Sequence, residues 1–358
     1  MILINKTMAK EKTITNSIMA LTLVLSTSAC SDSEQAAQST KQATAASSQQ
    51  QVESKINLTL EQTTVSGLSS GAYMAHQLHI AYSDKIKGAA LLAGGPYGCA
   101  KGDLNTALGE CMAIENAMDV APLVELAKQA QEKGDIAPLE NLAEQPVWIF
   151  HGTTDNRVND KVTQASADLY TRLGATPVTE FNIKAGHGFP TETNGVQCDS
   201  TEAPFINQCG YDAAGTLLTH LYGELNSKSE AATGELVAIN QADFVTGDAG
   251  NTLAETGYAY VPTSCATGEE CRIHIALHGC KQNEEAIDKA FIKDTGYNAW
   301  ADTNNIVVLY PQTKSSFAPL NPNACWDWWG YTGAEYQSRD GAQMQHVMNM
   351  VAGLSEAL

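Results

Sequence analysis

Residues 66–77 read S-G-L-S-S-G-A-Y-M-A-H-Q and contain a G-x-S-x-G box centred on Ser69. An extended run rich in Thr, Leu and Val, Ile56 to Val65, precedes the box, and a helix-compatible stretch, Ala72 to Tyr82, follows it. A nucleophilic serine on a sharp strand-to-helix turn needs a strained backbone and neighbours without side chains, which the glycines provide. The stretch therefore predicts a nucleophile at Ser69, and an ordinary Gly/Ser turn is the alternative.

Residues 1–30 have the pattern of a bacterial export signal. Three lysines precede an apolar run, Ile18 to Leu25, and small residues lead to Cys30; the run is too short to span a membrane as a helix. A Cys directly after T-S-A resembles a lipoprotein processing site, although Thr27 stands where such sites usually carry Leu. We expect a signal peptide over residues 1–29 and lipid on Cys30, with ordinary cleavage after Ala29 as the alternative.

The next segment has a composition that cannot build a core. Residues 31–54 are mostly Ser, Gln, Ala and Thr, without aromatic residues, Leu or Ile. We therefore predict a flexible tether over residues 30–54 and a single catalytic domain over residues 55–358, since no internal repeat or second linker divides the rest.

The charge of the chain limits its partners. The formal net charge is −19, which argues against nucleic acid binding and against electrostatic docking to anionic lipid. We expect membrane attachment only through lipid on Cys30. The predicted protein is a monomer that is extracellular or anchored to the outer membrane of a bacterium.

Eight further cysteines occur in an exported chain, where thiols can oxidise to disulfides. As sequence neighbours they form the couples Cys99 and Cys111, Cys198 and Cys209, Cys265 and Cys271, and Cys280 and Cys325. Sequence alone does not fix the connectivity, and pairing between neighbours is the simplest arrangement. Zinc-type C-x-x-C or His-rich spacing is absent from the sequence, so no metal site is predicted.

Short apolar runs that end in Gly or polar residues alternate with helix-length stretches. These runs are Lys87 to Leu92, Pro146 to Phe150, Val178 to Ile183, Glu235 to Ile239, Gly257 to Val261, Arg272 to Leu277 and Ile306 to Tyr310. The alternation is typical of a mostly parallel sheet with helices on both faces. Reactive groups in such α/β folds cluster beyond the carboxyl ends of the strands.

Two such groups follow predicted strands. Asp155 lies in V-W-I-F-H-G-T-T-D, and His187 lies in A-G-H-G-F-P. The order Ser69, Asp155, His187 is the α/β-hydrolase order of nucleophile, acid and base. A serine hydroxyl needs an imidazole to take its proton, and the imidazole needs a carboxylate to fix its tautomer. The competing residues are Asp160 for the acid and His151 or His278 for the base.

The position of a second motif indicates a rearranged chain order. An oxyanion hole uses the amide after the nucleophile, here Ser70, and a second amide from the loop after an earlier strand, often marked by H-G. The H-G pair of this chain comes late, at His278-Gly279, and is followed by one more strand and a helix-like stretch, Asp340 to Leu358. Joining the C-terminus to the segment near Ser54 restores the common order. The sequence therefore predicts a circular permutation, which is tolerated where termini lie close together.

These motifs resemble those of extracellular poly(3-hydroxybutyrate) depolymerases, in particular the circularly permuted single-domain type. The resemblance covers about Leu58 to the C-terminus and rests on S-G-L-S-S-G-A-Y-M-A-H-Q, A-G-G-P-Y-G-C-A, L-H-G-C-K-Q and C-W-D-W-W-G-Y. It implies an α/β-hydrolase fold. The implied roles are Ser69 as nucleophile, Asp155 as acid, His187 as base, and the amides of Ser70 and Cys280 as the oxyanion hole.

The resemblance also implies a disulfide between Cys280 and Cys325, which would staple the oxyanion loop to the tryptophan-rich segment and preorganise the amide. Trp326, Trp328 and Trp329 lie beside this cysteine. Aromatic side chains next to a hydrolase site suit the methyl groups of an apolar polyester. The alternative is that at least one of them fills the core.

The predicted function is hydrolysis of poly(3-hydroxybutyrate) polymer or its oligomers by a secreted carboxylic ester hydrolase. The reaction would pass through an acyl-enzyme and require no metal or organic cofactor. Because no separate polymer-binding domain is recognised, we expect soluble oligomers to be preferred over solid film. The alternatives are a carbohydrate esterase of the feruloyl or acetylxylan type and, from another class, a non-catalytic polymer-binding surface lipoprotein.

Overall fold

The computed structural model describes residues 56–245 and 252–357. The predicted signal peptide, the tether and Cys30 lie outside the described residues. In chain order the strands are β1 (Thr63–Leu68), β2 (Ile86–Leu92), β3 (Val147–Phe150), β4 (Val178–Glu180), β5 (Phe189–Thr191), β6 (Val196–Gln197), β7 (Ile206–Gln208), β8 (Glu235–Asn240), β9 (Thr256–Val261), β10 (Arg272–Leu277), β11 (Ile306–Tyr310), β12 (Ser316–Phe317) and β13 (Leu320–Asn321).

The helices connect these strands. They are α1 (Ser70–Ala81), α2 (Leu104–Leu108), α3 (Glu110–Ala113), α4 (Ala121–Lys133), α5 (Asp160–Arg172), α6 (Ala213–Tyr222), α7 (Thr263–Ala266), α8 (Glu284–Ile287), α9 (Ala290–Asp294), α10 (Tyr297–Thr303) and α11 (Ala342–Ala357). Short 3₁₀ turns cover Leu60–Gln62, Leu139–Glu144 and Gln241–Phe244.

The main sheet has the order β4-β3-β2-β1-β10-β11-β9-β8. The six strands from β4 to β11 pair in parallel, whereas β9 is antiparallel to both β11 and β8. Counted from β8 and continued through β1, the order becomes 1-2-4-3-5-6-7-8 with the second strand antiparallel. This is the α/β-hydrolase arrangement, reached by a circularly permuted chain.

The two chain regions that a permutation joins lie together at the surface. Leu60 and Glu61, just before β1, line the same cavity as Val351 and Ala352 in the final helix α11. A connection between such neighbouring segments disturbs little of the buried structure. The structure thus accounts for the late position of the H-G pair in the sequence.

The sheet is buried on both faces. Along β11, Val307 and Leu309 belong to one apolar cluster, and Val308 and Tyr310 belong to the other. Alternation of side chains between faces explains this division, because successive residues of a strand point to opposite sides. Helices α1, α4, α5 and α11 pack in the first cluster, and α6, α9 and α10 in the second. The prediction of helices on both faces is confirmed.

The sequence located most strands of the main sheet but misplaced one of them. The predictions for 272–277 and 306–310 match β10 and β11 residue for residue. The run from Ile56 to Val65 is not one strand: Asn57 and Thr59 bond to Cys271, a 3₁₀ turn follows, and β1 then extends to Leu68. Two short sheets, β5-β7-β6 and β12-β13, were not predicted.

Four disulfides stabilise the described region, and the prediction that these eight cysteines pair with their sequence neighbours is confirmed. The bonds are Cys99–Cys111, Cys198–Cys209, Cys265–Cys271 and Cys280–Cys325.

Candidate active site

Ser69 occupies the turn between β1 and α1. Its backbone has φ 55° and ψ −121°, a conformation that costs a non-glycine residue free energy and is found where a site holds it in place. The Ser69 amide donates to the carbonyl of Leu92 at the end of β2, at 2.9 Å, and α1 begins at the next residue. The turn therefore presents the serine side chain beyond the carboxyl edge of the sheet, as a nucleophile elbow requires.

Close packing explains the glycine at the end of the box. A Cβ on Gly71 would lie 2.3 Å from the carbonyl oxygen of Leu277 and 2.5 Å from that of His278. Both distances are far below van der Waals contact, so only glycine lets α1 approach the end of β10. The elbow is thereby held against the loop that carries the H-G pair.

His187 and Asp155 form a direct contact beside the elbow. The His187 Nδ1 atom lies 2.7 Å from Asp155 Oδ2, and the second carboxylate oxygen accepts the amides of Arg157 and Val158. Burial alone would raise the pKa of Asp155, but His187, the Arg157 amide and His151 together lower it below its ordinary value. The carboxylate therefore stays ionised, keeps the proton on Nδ1 and leaves Nε2 as the acceptor.

The small sheet β5-β7-β6 fixes the loop that carries His187. The His187 amide donates to Thr201 Oγ1 at 2.9 Å. Nearby, the buried Asn207 side chain donates to the carbonyl of Cys198, which is tied to Cys209 by a disulfide. The loop that carries the His187 imidazole is thus held by a region that contains a disulfide bond.

One cleft brings the predicted nucleophile and base together. It has a volume of about 360 Å³ and is lined by both Ser69 and His187. No hydrogen bond joins Ser69 to His187 in residues 56–245; contacts of this kind often close only when substrate binds. Much of the wall is apolar, and its apolar residues include Leu68, Leu104, Leu108, Met112, Phe205, Leu320, Pro322, Trp328 and Trp329.

The two backbone amides predicted to bind an oxyanion have no protein acceptor in the part of the chain that the structure describes. Among the described residues, neither the Ser70 amide nor the Cys280 amide donates to a protein acceptor. A Cβ on Gly279 would lie 3.3 Å from the Ser69 Cβ, so the loop that carries Cys280 touches the elbow. Donors of this kind stabilise the negative charge that develops on an ester carbonyl oxygen.

The loop 278–282 is fixed from two sides. The Gln282 side chain accepts from the Gly279 amide at 2.7 Å and donates to the carbonyls of Pro204 and Phe205. On the other side Cys280 is bonded to Cys325, whose amide and carbonyl are both held by the Asn321 side chain at 2.9 Å. Asn321 was not identified from the sequence, since nothing in its local pattern distinguishes it from a turn residue.

The residues that competed for the roles of acid and base, Asp160, His151 and His278, lie away from the cleft. Asp160 begins helix α5 and pairs with Lys161 on the surface. His151 is buried and bonded to Thr163, and His278 is fully buried, bonded to the Gly279 carbonyl and accepting the Thr313 amide. Burial lowers the pKa of His278 to about 4. None of the three lines the cleft.

The three predicted tryptophans have different positions. Trp328 and Trp329 line the cleft, and Trp328 stacks on Tyr73 with ring centroids 4.2 Å apart. Trp326 does not line it; this ring is fully buried in the core beside His278. Trp326 therefore fills the core, as the alternative prediction stated, and is not a lining residue of the cleft.

Asp327 is a buried carboxylate that shapes the tryptophan-rich turn. It accepts the amides of Gly330, Tyr331 and Thr332 and the Thr332 hydroxyl, at 2.6 to 2.9 Å. Burial raises the pKa of Asp327, and these hydrogen bonds oppose the rise. A charged residue between tryptophans is a sequence signal for such an anchor, but this role of Asp327 was not predicted.

Exposed apolar side chains surround the cleft mouth. Leu108 and Leu320 are 55% and 54% exposed and line the cleft, and Phe317, at 90%, stands on the same β12-β13 hairpin as Leu320. Clustered exposed apolar side chains mark a surface that contacts another apolar body.

The part of the chain that the structure describes contains neither a metal-binding cluster nor a membrane-spanning helix. No group of three or more His, Cys, Asp or Glu residues is arranged to hold a metal ion in this part of the chain. No helix within 56–245 or 252–357 has the length and hydropathy needed to span a membrane.

The permuted sheet, the serine elbow and the adjoining His–Asp pair define the class of α/β-hydrolase-fold serine hydrolases. The family described as "Esterase PHB depolymerase" matches residues 256–355. A poly(3-hydroxybutyrate) depolymerase of Delftia acidovorans is 43% identical over 301 residues, 82% of this chain and 60% of that protein. A polyhydroxybutyrate depolymerase of Talaromyces funiculosus is 36% identical over 312 residues, 82% of this chain and 90% of that protein.

A solved structure is also similar to this chain. A PHB depolymerase complexed with an R3HB trimer superposes with a TM-score of 0.76 at 34% identity, covering 85% of this chain and 98% of that one. The chain therefore belongs to the poly(3-hydroxybutyrate) depolymerase family. It spans about three fifths of the Delftia relative.

Proposed function

We propose that this protein is a secreted serine esterase that hydrolyses poly(3-hydroxybutyrate) or its oligomers through an acyl-enzyme on Ser69. The observation that carries the proposal is the 2.7 Å contact of His187 with Asp155 in the cleft that Ser69 lines. Membership of the depolymerase family and the printed activities of its relatives support the choice of substrate.

The proposed reaction has two acyl-transfer steps. His187 Nε2 takes the Ser69 proton as the serine oxygen bonds to the ester carbonyl carbon, and the amides of Ser70 and Cys280 bind the resulting oxyanion. The C–O bond of the ester then breaks, and His187 gives its proton to the leaving alkoxide. Water, deprotonated by the same imidazole, releases the acyl group as a carboxylic acid and restores the serine.

The chemistry of the wall favours a polyester over a carbohydrate ester. Sugar rings carry many hydroxyls and need free hydrogen-bonding side chains, whereas leucine, methionine and tryptophan form much of this wall. Two of the polar lining residues, Gln282 and Asn321, already use their side-chain amides to hold the loops. Methyl-bearing ester units fit such a surface.

The test compares wild type with Ser69→Ala on poly(3-hydroxybutyrate) film, on soluble 3-hydroxybutyrate oligomers, and on feruloyl and acetylxylan esters. We expect acid release from the polyester substrates only, and none from the alanine variant. A serine-directed phosphonate should label wild type but not Ser69→Ala, which separates an esterase from a binding lipoprotein. Full ester hydrolysis by Ser69→Ala, or release only from the carbohydrate esters, would overturn the proposal.

The polymer form of the substrate and the location of the protein are parts of the proposal. We expect faster release from soluble oligomers than from film, and faster film degradation would contradict this. We further propose export through residues 1–29, lipid on Cys30 and a monomeric catalytic unit. A mature N-terminus with unmodified Cys30 would refute the lipid anchor.

A further inference from the structure

The ionisable side chains that line the cleft differ from those of the whole chain. The sequence holds 40 acidic residues and 21 Lys and Arg. Among the described residues that line the cleft, however, no Asp or Glu is present, and Arg157 and Lys281 are there together with His187. A cleft with two cations in an anionic protein is suited to a ligand that carries negative charge.

Both cations are available to a ligand. Within the described residues neither Arg157 nor Lys281 takes part in an ion pair with a carboxylate. Both are exposed to solvent. Their backbones are nevertheless fixed, because the Arg157 amide donates to Asp155 at 2.8 Å and the Lys281 amide donates to the Asn323 carbonyl at 2.7 Å.

The proposed substrate supplies the anion. A linear 3-hydroxybutyrate oligomer ends in a free carboxyl group, which is ionised at neutral pH because such groups have a pKa near 4. The net charge of −19 repels this anion from the protein as a whole. A local positive group at the cleft would offset that repulsion where the chain end must enter.

The direction of the ester bond decides which cation meets the carboxylate. On cleavage, the fragment with the free carboxylate leaves as the alcohol, and His187 protonates its oxygen. Asp155 binds His187 through one oxygen and the Arg157 amide through the other, so the backbone of Arg157 lies beside the His–Asp pair that would protonate the leaving group. Lys281 instead follows Cys280, whose amide is the proposed donor to the carbonyl oxygen.

We propose that Arg157 binds the terminal carboxylate of the substrate and makes the enzyme prefer oligomers with a free acid end. Its guanidinium offers two parallel N–H donors to the two carboxylate oxygens, a geometry that lysine lacks. This inference rests on the proposed esterase function. It assigns to Arg157 a role in substrate specificity.

The test uses 3-hydroxybutyrate trimer as the free acid and as its methyl ester. Wild type is expected to cleave the free acid about five-fold better in kcat/KM, the scale of one exposed ion pair, mainly through KM. Arg157→Gln should bring the ratio of kcat/KM for the free acid to kcat/KM for the methyl ester close to one, and Arg157→Lys should keep part of the preference. Added salt should reduce the wild-type preference, because screening weakens the ion pair.

Lys281→Gln is the matched control, since it removes the same charge from the same cleft. It should keep most of the preference for the free acid. Equal turnover of acid and methyl ester by wild type, or an equal loss of preference in both Gln variants, would overturn the inference while leaving the esterase proposal intact. Failure of wild type to cleave either trimer would refute the esterase proposal and this inference with it.

Discussion

The Cys280–Cys325 disulfide provides the sharpest test of how the proposed oxyanion loop, residues 278–282, is held. The perturbation replaces both cysteines with serine. The bond spans 45 residues of sequence, and the chain-entropy relation gives about 4 kcal/mol of stabilisation for a loop of that length. We expect the free energy of unfolding to fall by about that amount.

The same replacement should lower kcat. The residue 280 amide remains in the serine variant, but its loop loses the covalent link to residue 325. The hydrogen bond from Lys281 to Asn323 and those of Gln282 remain. The effect is therefore partial: we expect a loss of about ten-fold, less than the roughly 10²- to 10³-fold loss on removing an oxyanion donor outright.

The assay measures kcat on a soluble trimer and stability by urea unfolding, with Cys265→Ser/Cys271→Ser as the control pair. That disulfide spans 6 residues, so its loss should cost about 2 kcal/mol. It lies before β10, whereas the oxyanion loop follows β10, roughly 20 Å away along the strand. A wild-type kcat in the Cys280/Cys325 variant, or an equal kcat loss in the control, would refute the reasoning.

Three further outcomes are expected. Asp155→Asn should lower kcat roughly 10⁴-fold by disturbing the His187 tautomer. Ionised Asp155 also stabilises the wild-type fold above the ordinary Asp pKa of 3.8, and this stability is lost as pH falls through the lower pKa of the folded state. The asparagine variant should lack this contribution to the free energy of unfolding. Phe317→Ser should weaken adsorption to polyester film about ten-fold, as half-burial of one aromatic ring implies, without changing trimer turnover; an unchanged isotherm would contradict this. Four fully buried histidines should make the protein acid-sensitive, because their pKa values fall from 6.5 to about 3 or 4 on folding and the stability present above 6.5 is lost as pH falls. These residues are His76, His79, His274 and His278. The free energy of unfolding, measured with urea, should fall by roughly 5 kcal/mol between about pH 7 and pH 5.5. A free energy of unfolding that does not change with pH would refute this prediction.

The sequence was most informative where a strand is buried on both faces. Continuous apolar runs mark β10 and β11, and the polar residues that end such runs mark the carboxyl edge where the site forms. Ser69, Asp155 and His187 could be named for this reason. Their contact distances depend on the order of strands in the sheet; the sequence predicted the permutation of the chain but not that order.

Elements held mainly by side-chain contacts were missed. Strands β5, β6 and β7 are two or three residues long, too short for a periodic pattern to appear. Strand β4 covers only Val178–Glu180, although the sequence predicted a strand from Val178 to Ile183. Its position at the edge of the sheet explains this, because β4 pairs on one side only and Val178 is exposed. Asn321 acts through contacts that no local pattern encodes.

The site also explains how a permuted chain keeps its chemistry. Ser69 and Gly279 touch although 210 residues separate them, because β1 and β10 are neighbours in register, with Gly67 opposite Leu277. The buried His274 ring bonds to Thr64 and Ser66 at 2.8 and 2.7 Å. A one-residue slip would break both bonds and turn every side chain of the strand to the other face. Strand register, and not the order of connections, therefore places Ser69 beside the loop that carries the proposed oxyanion amide of Cys280.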